Sequence, residues 1–231
     1  TLAPAVASAA TVIDERISKE DFSELDGAFG AARWDPAARS LTLIRDPFGV
    51  RSLYWVEHQG AFYFATELKQ LLAVPLLPVV LEPAVIHKYL TFSFVPGEPT
   101  PLRGIHRLPP GHRLTWRQGA AKVEPYFELK EEIAPIEQAE ASRKTWQLGR
   151  AAVERRLLGE DRVGLYLSGG LDSSAVGAWL KDLGATVQAF TLDFGDASVE
   201  REEATEAAKH LGFPLERVPA DGKTVAARFD E

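Results

Sequence analysis

Seven consecutive residues, Ser168-Gly169-Gly170-Leu171-Asp172-Ser173-Ser174, gather three hydroxyls, two glycines and one carboxylate. They follow the apolar run Val163-Gly164-Leu165-Tyr166-Leu167 and precede a stretch whose apolar residues recur at helical spacing. Glycine tolerates φ > 0 and removes the Cβ that would keep an anion away from the backbone. Consecutive N–H groups at a helix start turn partial positive charge toward phosphate oxygens. The hydroxyls of Ser168, Ser173 and Ser174 can donate further bonds. Asp172 would repel a bare phosphate, which makes sense if it holds a Mg²⁺ that bridges phosphates. The ordinary alternative is a Gly-Gly turn with an Asp-Ser helix cap, and for an isolated Gly-Gly that reading would win. The whole string, set between a buried strand and an apolar-faced helix, reads as a nucleotide-phosphate loop. The turn carries no Gly-Lys-Ser/Thr, so it is not the loop that transfers a γ-phosphoryl group.

The elements that must position this turn read as α/β. A helix is expected over 139–158, a strand over 162–167, a helix over 173–183 and a strand over 186–192. A helix over about 200–211 and a strand over 215–218 complete the series. Strands alternating with helices at this spacing indicate βαβ units and a parallel sheet. Upstream the pattern differs. Short strands at 28–34, 41–45, 53–57 and 61–65 are separated by Asp35-Pro36, Asp46-Pro47-Phe48-Gly49 and Gln59-Gly60, spacing that favours antiparallel pairs. A short helix follows over 67–74, with Thr66 as N-cap and Leu68, Leu71 and Leu72 on one face, and another over 82–90 with Pro83 in its first turn. Residues 95–112 are rich in Pro and Gly and read as an ordered loop, with a strand at 113–117 leaving it. The acidic stretch 131–140 is the best linker. The fold class is therefore α+β, a partial antiparallel domain over 1–130, followed by α/β, the start of a parallel-sheet domain over 131–231.

The chain of 231 residues is 45% hydrophobic and 26% charged, so each part can bury a core. With 33 acids against 26 bases its formal charge is −7 and no basic tract is present, which argues against nucleic-acid binding. No apolar run is long enough to span a membrane. The absence of cysteine excludes a disulfide framework, a thiolate metal site and a cysteine nucleophile within these residues. The five histidines are dispersed, with only His106 and His112 near each other, and read as loop and surface residues. Trp34, Tyr54, Trp55, Tyr63 and Phe64 fall in strands and are expected in the core. Arg103, Arg107 and Arg113 can contact acidic groups, but a solvated or interdomain role is expected ahead of that. Glu200, Glu202, Glu203 and Glu206 complement a helix dipole more readily than they bind Mg²⁺.

The seven-residue string matches the pyrophosphate loop of the ATP-pyrophosphatase superfamily, which includes asparagine, GMP, NAD and argininosuccinate synthetases. Upstream landmarks narrow the choice. Leu25-Asp26-Gly27-Ala28-Phe29, the run from Arg45 to Tyr54, Phe64-Ala65-Thr66-Glu67-Leu68-Lys69, the run from Tyr89 to Gly97 and the run from Gly104 to His112 resemble, in order, glutamine-hydrolysing asparagine synthetases. The resemblance covers essentially residues 25–220. It implies an N-terminal-nucleophile glutaminase followed by a domain that adenylates aspartate. Ser168–Ser174 would grip pyrophosphate next to Leu167, Asp172 would contact Mg²⁺, and the backbone of Leu192 would meet adenine. The implied substrates are ATP, aspartate, and glutamine or ammonia. A cytoplasmic setting is implied, and a homodimer is compatible.

The departures are specific. The family's leading Cys, its Asn-Gly-Glu glutamine segment, and a later Ser-Gly-rich loop and lysine have no counterpart here, so no catalytic residue is assigned. The chain is expected to be an excerpt of a longer enzyme or a relative with a degenerate glutaminase. β-Lactam synthetases and lasso-peptide cyclases, which resemble this family and use an internal amine, are the second expectation. A non-catalytic nucleotide-binding or interaction protein is the third. Thr1, were its own amine available to activate it, is a remote nucleophile candidate.

Overall fold

A computed structural model of the chain describes residues 4–22, 25–131, 133–194 and 201–227. Two candidates from the sequence, Thr1 and Glu200, lie outside the described residues. The chain divides into two compact units, 1–132 and 133–231.

The first unit opens with helix α1 (Pro4–Lys19) and continues with strands β1 (Gly30–Asp35), β2 (Ser40–Arg45), β3 (Tyr54–His58) and β4 (Ala61–Ala65). Helices α2 (Leu68–Leu72) and α3 (Pro83–Phe92) follow, then β5 (His106–Arg107), β6 (His112–Arg117) and β7 (Ala120–Pro125). Two antiparallel sheets result, ordered β1-β2-β6-β7 and β4-β3-β5. Turn chemistry sets the registers. His58 pairs with Ala61 across Gln59-Gly60, and Arg117 with Ala120 across Gln118-Gly119. All four turn residues have positive φ, between 50° and 77°, the geometry of a two-residue turn that follows strand twist.

Alternation along the strands builds two cores from these sheets. Leu41, Leu43 and Leu114 of the first sheet meet Leu53 and Leu108, with Trp55 and Phe62 of the second sheet packed against them. On the opposite face of the second sheet, Val56 packs with Leu71, Leu77, Leu102 and Ile105. Leu43, Leu108 and Leu114 are fully buried.

Several expectations are corrected by this packing. Trp34 and Phe64 are 52% and 42% exposed, because β1 and β4 are edge strands with a neighbour on one side only. Leu71 is buried but Leu72 is 43% exposed, so the buried face of α2 runs through Leu68 and Leu71. Glu67 rather than Thr66 occupies the N-cap of α2, its N–H donating to Gln70 Oε1 at 3.2 Å. Arg103 pairs with Glu82 at 3.0 Å, and Arg113 with Glu20 at 3.2 Å. Arg107 donates to the carbonyls of Val95 (2.9 Å) and Gly97. Arg103 stays 61% exposed and so is solvated as expected, whereas Arg107 and Arg113 are used within the first unit. Strands β5 and β7 and helix α1 have no counterpart in the sequence reading.

The second unit contains α4 (Gln138–Leu157), β8 (Arg162–Tyr166), α5 (Leu171–Asp182), β9 (Thr186–Asp193), α6 (Arg201–Leu211), β10 (Leu215–Pro219) and α7 (Gly222–Ala227). Its three strands are parallel in the order β10-β9-β8. Leu165, Leu167, Val187 and Ala189 of the sheet pack with Leu180 of α5 and with Ala208 and Leu211 of α6. Among the described residues, no helix is long and apolar enough to cross a membrane.

Candidate functional site

The end of β8 is anchored before the chain turns. Leu167 is fully buried, and its N–H donates to the carbonyl of Phe190 on β9 at 2.8 Å. The next residue leaves the sheet, so Ser168 to Gly170 lie at the carboxyl edge of the parallel strands, the edge where open α/β sheets bind ligands. Helix α5 then starts at Leu171 with Gly170 as its N-cap.

The two glycines do different work. Gly169 has φ +81°, a region that disfavours a side chain. A Cβ there would stand 2.3 Å from the carbonyl carbon of Glu203 and 2.5 Å from the amide nitrogen of Ala204. Its missing side chain is therefore filled by the first turns of α6, not kept open for an anion. Gly170 has an ordinary φ of −69°, and a Cβ there would meet only Ser168 Oγ, at 3.3 Å. The open approach is at Gly170.

The hydroxyls converge. Ser168 Oγ and Ser173 Oγ are 3.1 Å apart. The amide of Ser168 donates to Ser173 Oγ and the amide of Gly170 to Ser168 Oγ, each at 3.3 Å. Ser173 Oγ is also 3.2 Å from the Gly170 carbonyl, and the amide of Ser174 donates to that carbonyl at 3.1 Å. These bonds lie at or beyond the long end of the normal range, so a stronger acceptor can replace them at small cost. The first-turn N–H groups of α5, at Leu171, Asp172 and Ser173, lack intrahelical acceptors as at any helix start. They add the positive end of the helix dipole to the same place. Leu171 is 86% exposed and Asp172 is exposed beside it, so water or ligand reaches this surface.

Asp172 sits in the first turn of α5. Among the described residues no three His, Cys, Asp or Glu side chains are grouped to hold a metal ion. A lone carboxylate still suits Mg²⁺, which keeps most of its waters and takes one or two carboxylates together with substrate phosphates. A closed protein cage for a metal does not fit this site.

Strand alternation fixes the direction of Leu192. The amide of Ala189 donates to the Pro214 carbonyl and the Asp193 carbonyl accepts from Ala220, both at 2.9 Å, so these residues face the β10 side. Phe190 faces β8. Leu192, two residues on, turns its N–H and C=O the same way as Phe190, beyond the point where β8 has ended. Its backbone polar groups are thus directed toward the turn. Glu202 and Glu203 occupy the first turn of α6, where they complement its dipole.

The sequence reading missed the contact of Gly169 with α6, because it joins residues 34 positions apart and leaves no local signal. It also passed over Gly222-Lys223-Thr224 at the start of α7. That string lacks the rest of a γ-phosphoryl loop, since Arg217 stands where its first glycine belongs.

The chain matches two family models, the glutamine amidotransferase domain over residues 12–127 and asparagine synthase over residues 147–231. It is 30% identical over 230 residues to the amidase chyE of Penicillium rubens, covering 90% of this chain and 34% of that protein. The amidase chry2 of Gibberella zeae is 28% identical with the same coverage. Glutamine-hydrolysing asparagine synthetase 1 of Bacillus subtilis is 28% identical over 197 residues, 84% of this chain and 31% of that enzyme. The chain spans about a third of the length of these curated relatives. With an amidotransferase match over half its length and an asparagine synthase match following it in order, the chain belongs to the asparagine synthetase family.

Proposed function

We propose that this chain is part of an ATP-dependent amide-forming ligase, and that the turn from Ser168 to Ser174 holds the pyrophosphate that ATP releases. Residues 1–130 correspond on this reading to part of a glutaminase of the N-terminal-nucleophile type, and 131–231 to the opening of the synthetase domain. The observation that carries the reading is the convergence of Ser168, Ser173 and the free first-turn amides of α5 at the carboxyl edge of a parallel sheet.

The reaction that fits is activation of a carboxylate by ATP. A carboxylate oxygen attacks the α-phosphorus, the bond to the β-phosphate breaks, and pyrophosphate leaves. Ammonia released from glutamine then attacks the acyl carbon and AMP departs. Activation is needed because carboxylate oxygen leaves poorly and AMP leaves well. In this scheme the Ser168 and Ser173 hydroxyls exchange their mutual bond for bonds to the departing pyrophosphate. The amides of Leu171, Asp172 and Ser173 meet its growing charge with fixed dipoles, which require no reorganisation as the bond breaks. Asp172 would hold Mg²⁺, which supplies charge neutralisation between phosphates. The Leu192 backbone would recognise the adenine edge. Aspartate is the acceptor favoured by the synthetase relatives, and a cytoplasmic setting accords with use of ATP.

A second reading keeps activation and changes the nucleophile. The fungal relatives named amidases cover 90% of the chain, more than the 84% covered by the Bacillus synthetase. An internal amine in place of ammonia, as in a β-lactam synthetase or a lasso-peptide cyclase, is consistent with that.

Calorimetric titration of the chain with inorganic pyrophosphate and with Mg-ATP tests the site. Saturable binding should fall about tenfold or more in Ser168→Ala/Ser173→Ala, the loss of two charge-assisted bonds. Binding unchanged in that variant would sink the assignment of the turn. Exchange of labelled pyrophosphate into ATP, run in parallel with aspartate and without it, then separates aspartate activation from activation of another carboxylate.

A further inference from the structure

We propose that the hollow between the β1–β2 turn and the β6–β7 turn binds a small planar anion, a π-surface joined to a carboxylate or phosphate. The hollow has a volume of about 520 Å³, a size that admits a small-molecule ligand. Trp34, Trp116, Arg39 and Arg117 line it over a floor of Ala37 and Ala38, and no acid is among its lining residues.

Sheet register builds the aromatic part. Trp34 pairs with Leu41 and Leu41 with Trp116, so the three side chains form one row on one face of the sheet. Leu41 is buried between the two indoles. Trp34 stays 52% exposed on its edge strand. The Trp116 ring is held by Phe62, with ring centroids 5.4 Å apart, and its Nε1 is buried without a hydrogen-bond partner. The accessible part of Trp116 is therefore carbon. Trp116 suits a flat, apolar surface rather than a hydrogen-bonding one, and the exposed Trp34 adds a second ring face beside it.

The turns supply the charge. Arg39 has φ +49° at the end of the β1–β2 turn, and Gln118 has φ +53° next to Arg117. Among the described residues, neither Arg39 nor Arg117 has a side-chain hydrogen bond or ion pair. That separates them from Arg33, Arg103, Arg113 and Arg150, each of which reaches a carboxylate. Asp35, the acid nearest in sequence, is engaged by the amides of Ala37 and Ala38 at 2.9 Å and by Arg33. In a chain of net charge −7, two unpaired guanidinium groups beside two indoles form a local cationic and aromatic surface. Guanidinium matches a carboxylate or phosphate fork, and the indoles match the attached ring.

An aromatic carboxylate and a nucleotide share this chemistry, and the test separates them. The full chain is titrated calorimetrically with naphthoate, with its neutral isostere naphthamide, and with AMP. Naphthoate or AMP should bind saturably, with naphthoate about tenfold tighter than naphthamide if the source is an aromatic acid. Arg39→Ala/Arg117→Ala should weaken the responding anion about tenfold or more, while Arg39→Lys/Arg117→Lys, which keeps the charge and loses the fork, should restore only part of it. AMP responding alone to the arginine variants identifies a nucleotide. Both positions are exposed, and a circular-dichroism spectrum matching the parent confirms that each variant is folded. Anion binding that the arginine variants leave untouched, no saturation by either anion, or naphthamide binding as well as naphthoate with AMP inert would each overturn the proposal.

Discussion

Two turns in this chain look alike on paper and behave differently in the structure. In the first unit, Arg45-Asp46-Pro47-Phe48-Gly49-Val50-Arg51 closes on itself. The fully buried Asp46 carboxylate accepts from the amides of Phe48, Val50 and Arg51 at 3.2, 2.9 and 2.9 Å. The Arg45 guanidinium donates to the carbonyls of Arg51, Leu108 and Gly49 at 2.6 to 2.7 Å. Gly49 has φ +64°, and a Cβ there would meet Arg45 Nη2 and Pro110 Cγ at 2.8 Å. In the second unit, the turn from Ser168 to Ser174 is held by longer bonds of 3.1 to 3.3 Å and leaves helix amides open. A polar turn whose donors are all consumed inside the protein is architecture. One whose donors face outward on a rigid strand and helix is equipped for a ligand.

Substitutions at the two turns should therefore separate stability from binding. The largest effect is expected for Asp46→Ala, which strands three amides and removes a negative charge near the Arg45 guanidinium. It should cost roughly 3 kcal/mol or more of stability in denaturant unfolding. Affinity for pyrophosphate, measured under folding conditions, should stay as in the parent. A parent-like unfolding midpoint would show that Asp46 is not the anchor of its turn.

Gly169→Ala comes next, because it combines a left-handed φ with a Cβ 2.3 Å from the α6 backbone. A loss of about 2–3 kcal/mol is expected, together with loss of pyrophosphate binding as α6 is pushed from the turn. Intact binding would mean that the loop tolerates displacement of α6.

Tyr126 sharpens the comparison from the side of the first unit. Its hydroxyl donates to the Arg45 carbonyl at 2.6 Å, and burial, aided by the Asp46 charge, pushes its phenol well above the usual range. With the folded pKa raised, the contribution is fully present below the unfolded value, about 10, and is lost as pH climbs above it. Tyr126→Phe should cost about 1 kcal/mol at neutral pH and flatten the alkaline decline in unfolding free energy. An unchanged alkaline decline would assign it to another group.

Ser173→Ala should have the smallest effect on folding, under about 1 kcal/mol, since its bonds are long and partly exposed. Pyrophosphate affinity should nevertheless drop by about tenfold, as expected for one bond to an anion. A variant that loses stability but keeps its affinity would reverse the contrast between the two turns.

Much of this was legible in local sequence. Hairpins over Gln59-Gly60, the alternation of strands with helices after residue 138, and the string from Ser168 to Ser174 are short-range patterns, and short-range physics sets them. Strand β7 was not legible. Ala120–Pro125 alternates weakly, and it is a strand because β6 offers it an edge across a Gln118-Gly119 turn. Trp34 and Phe64 were misread for a related reason: strand type is local, whereas position at the edge of a sheet is not.

By itself the order of residues determined which turn gathers hydroxyls, glycines and a carboxylate, and how the chain alternates between strand and helix. Only the tertiary structure decided that Gly169 serves α6, that Gly170 is the open glycine, that the Asp46 turn is sealed and that Trp34 and Trp116 share a hollow with unpaired arginines. Those outcomes depend on which distant segments come to occupy the space around a residue. Such neighbours are chosen by packing across the whole unit, and no window of sequence contains them.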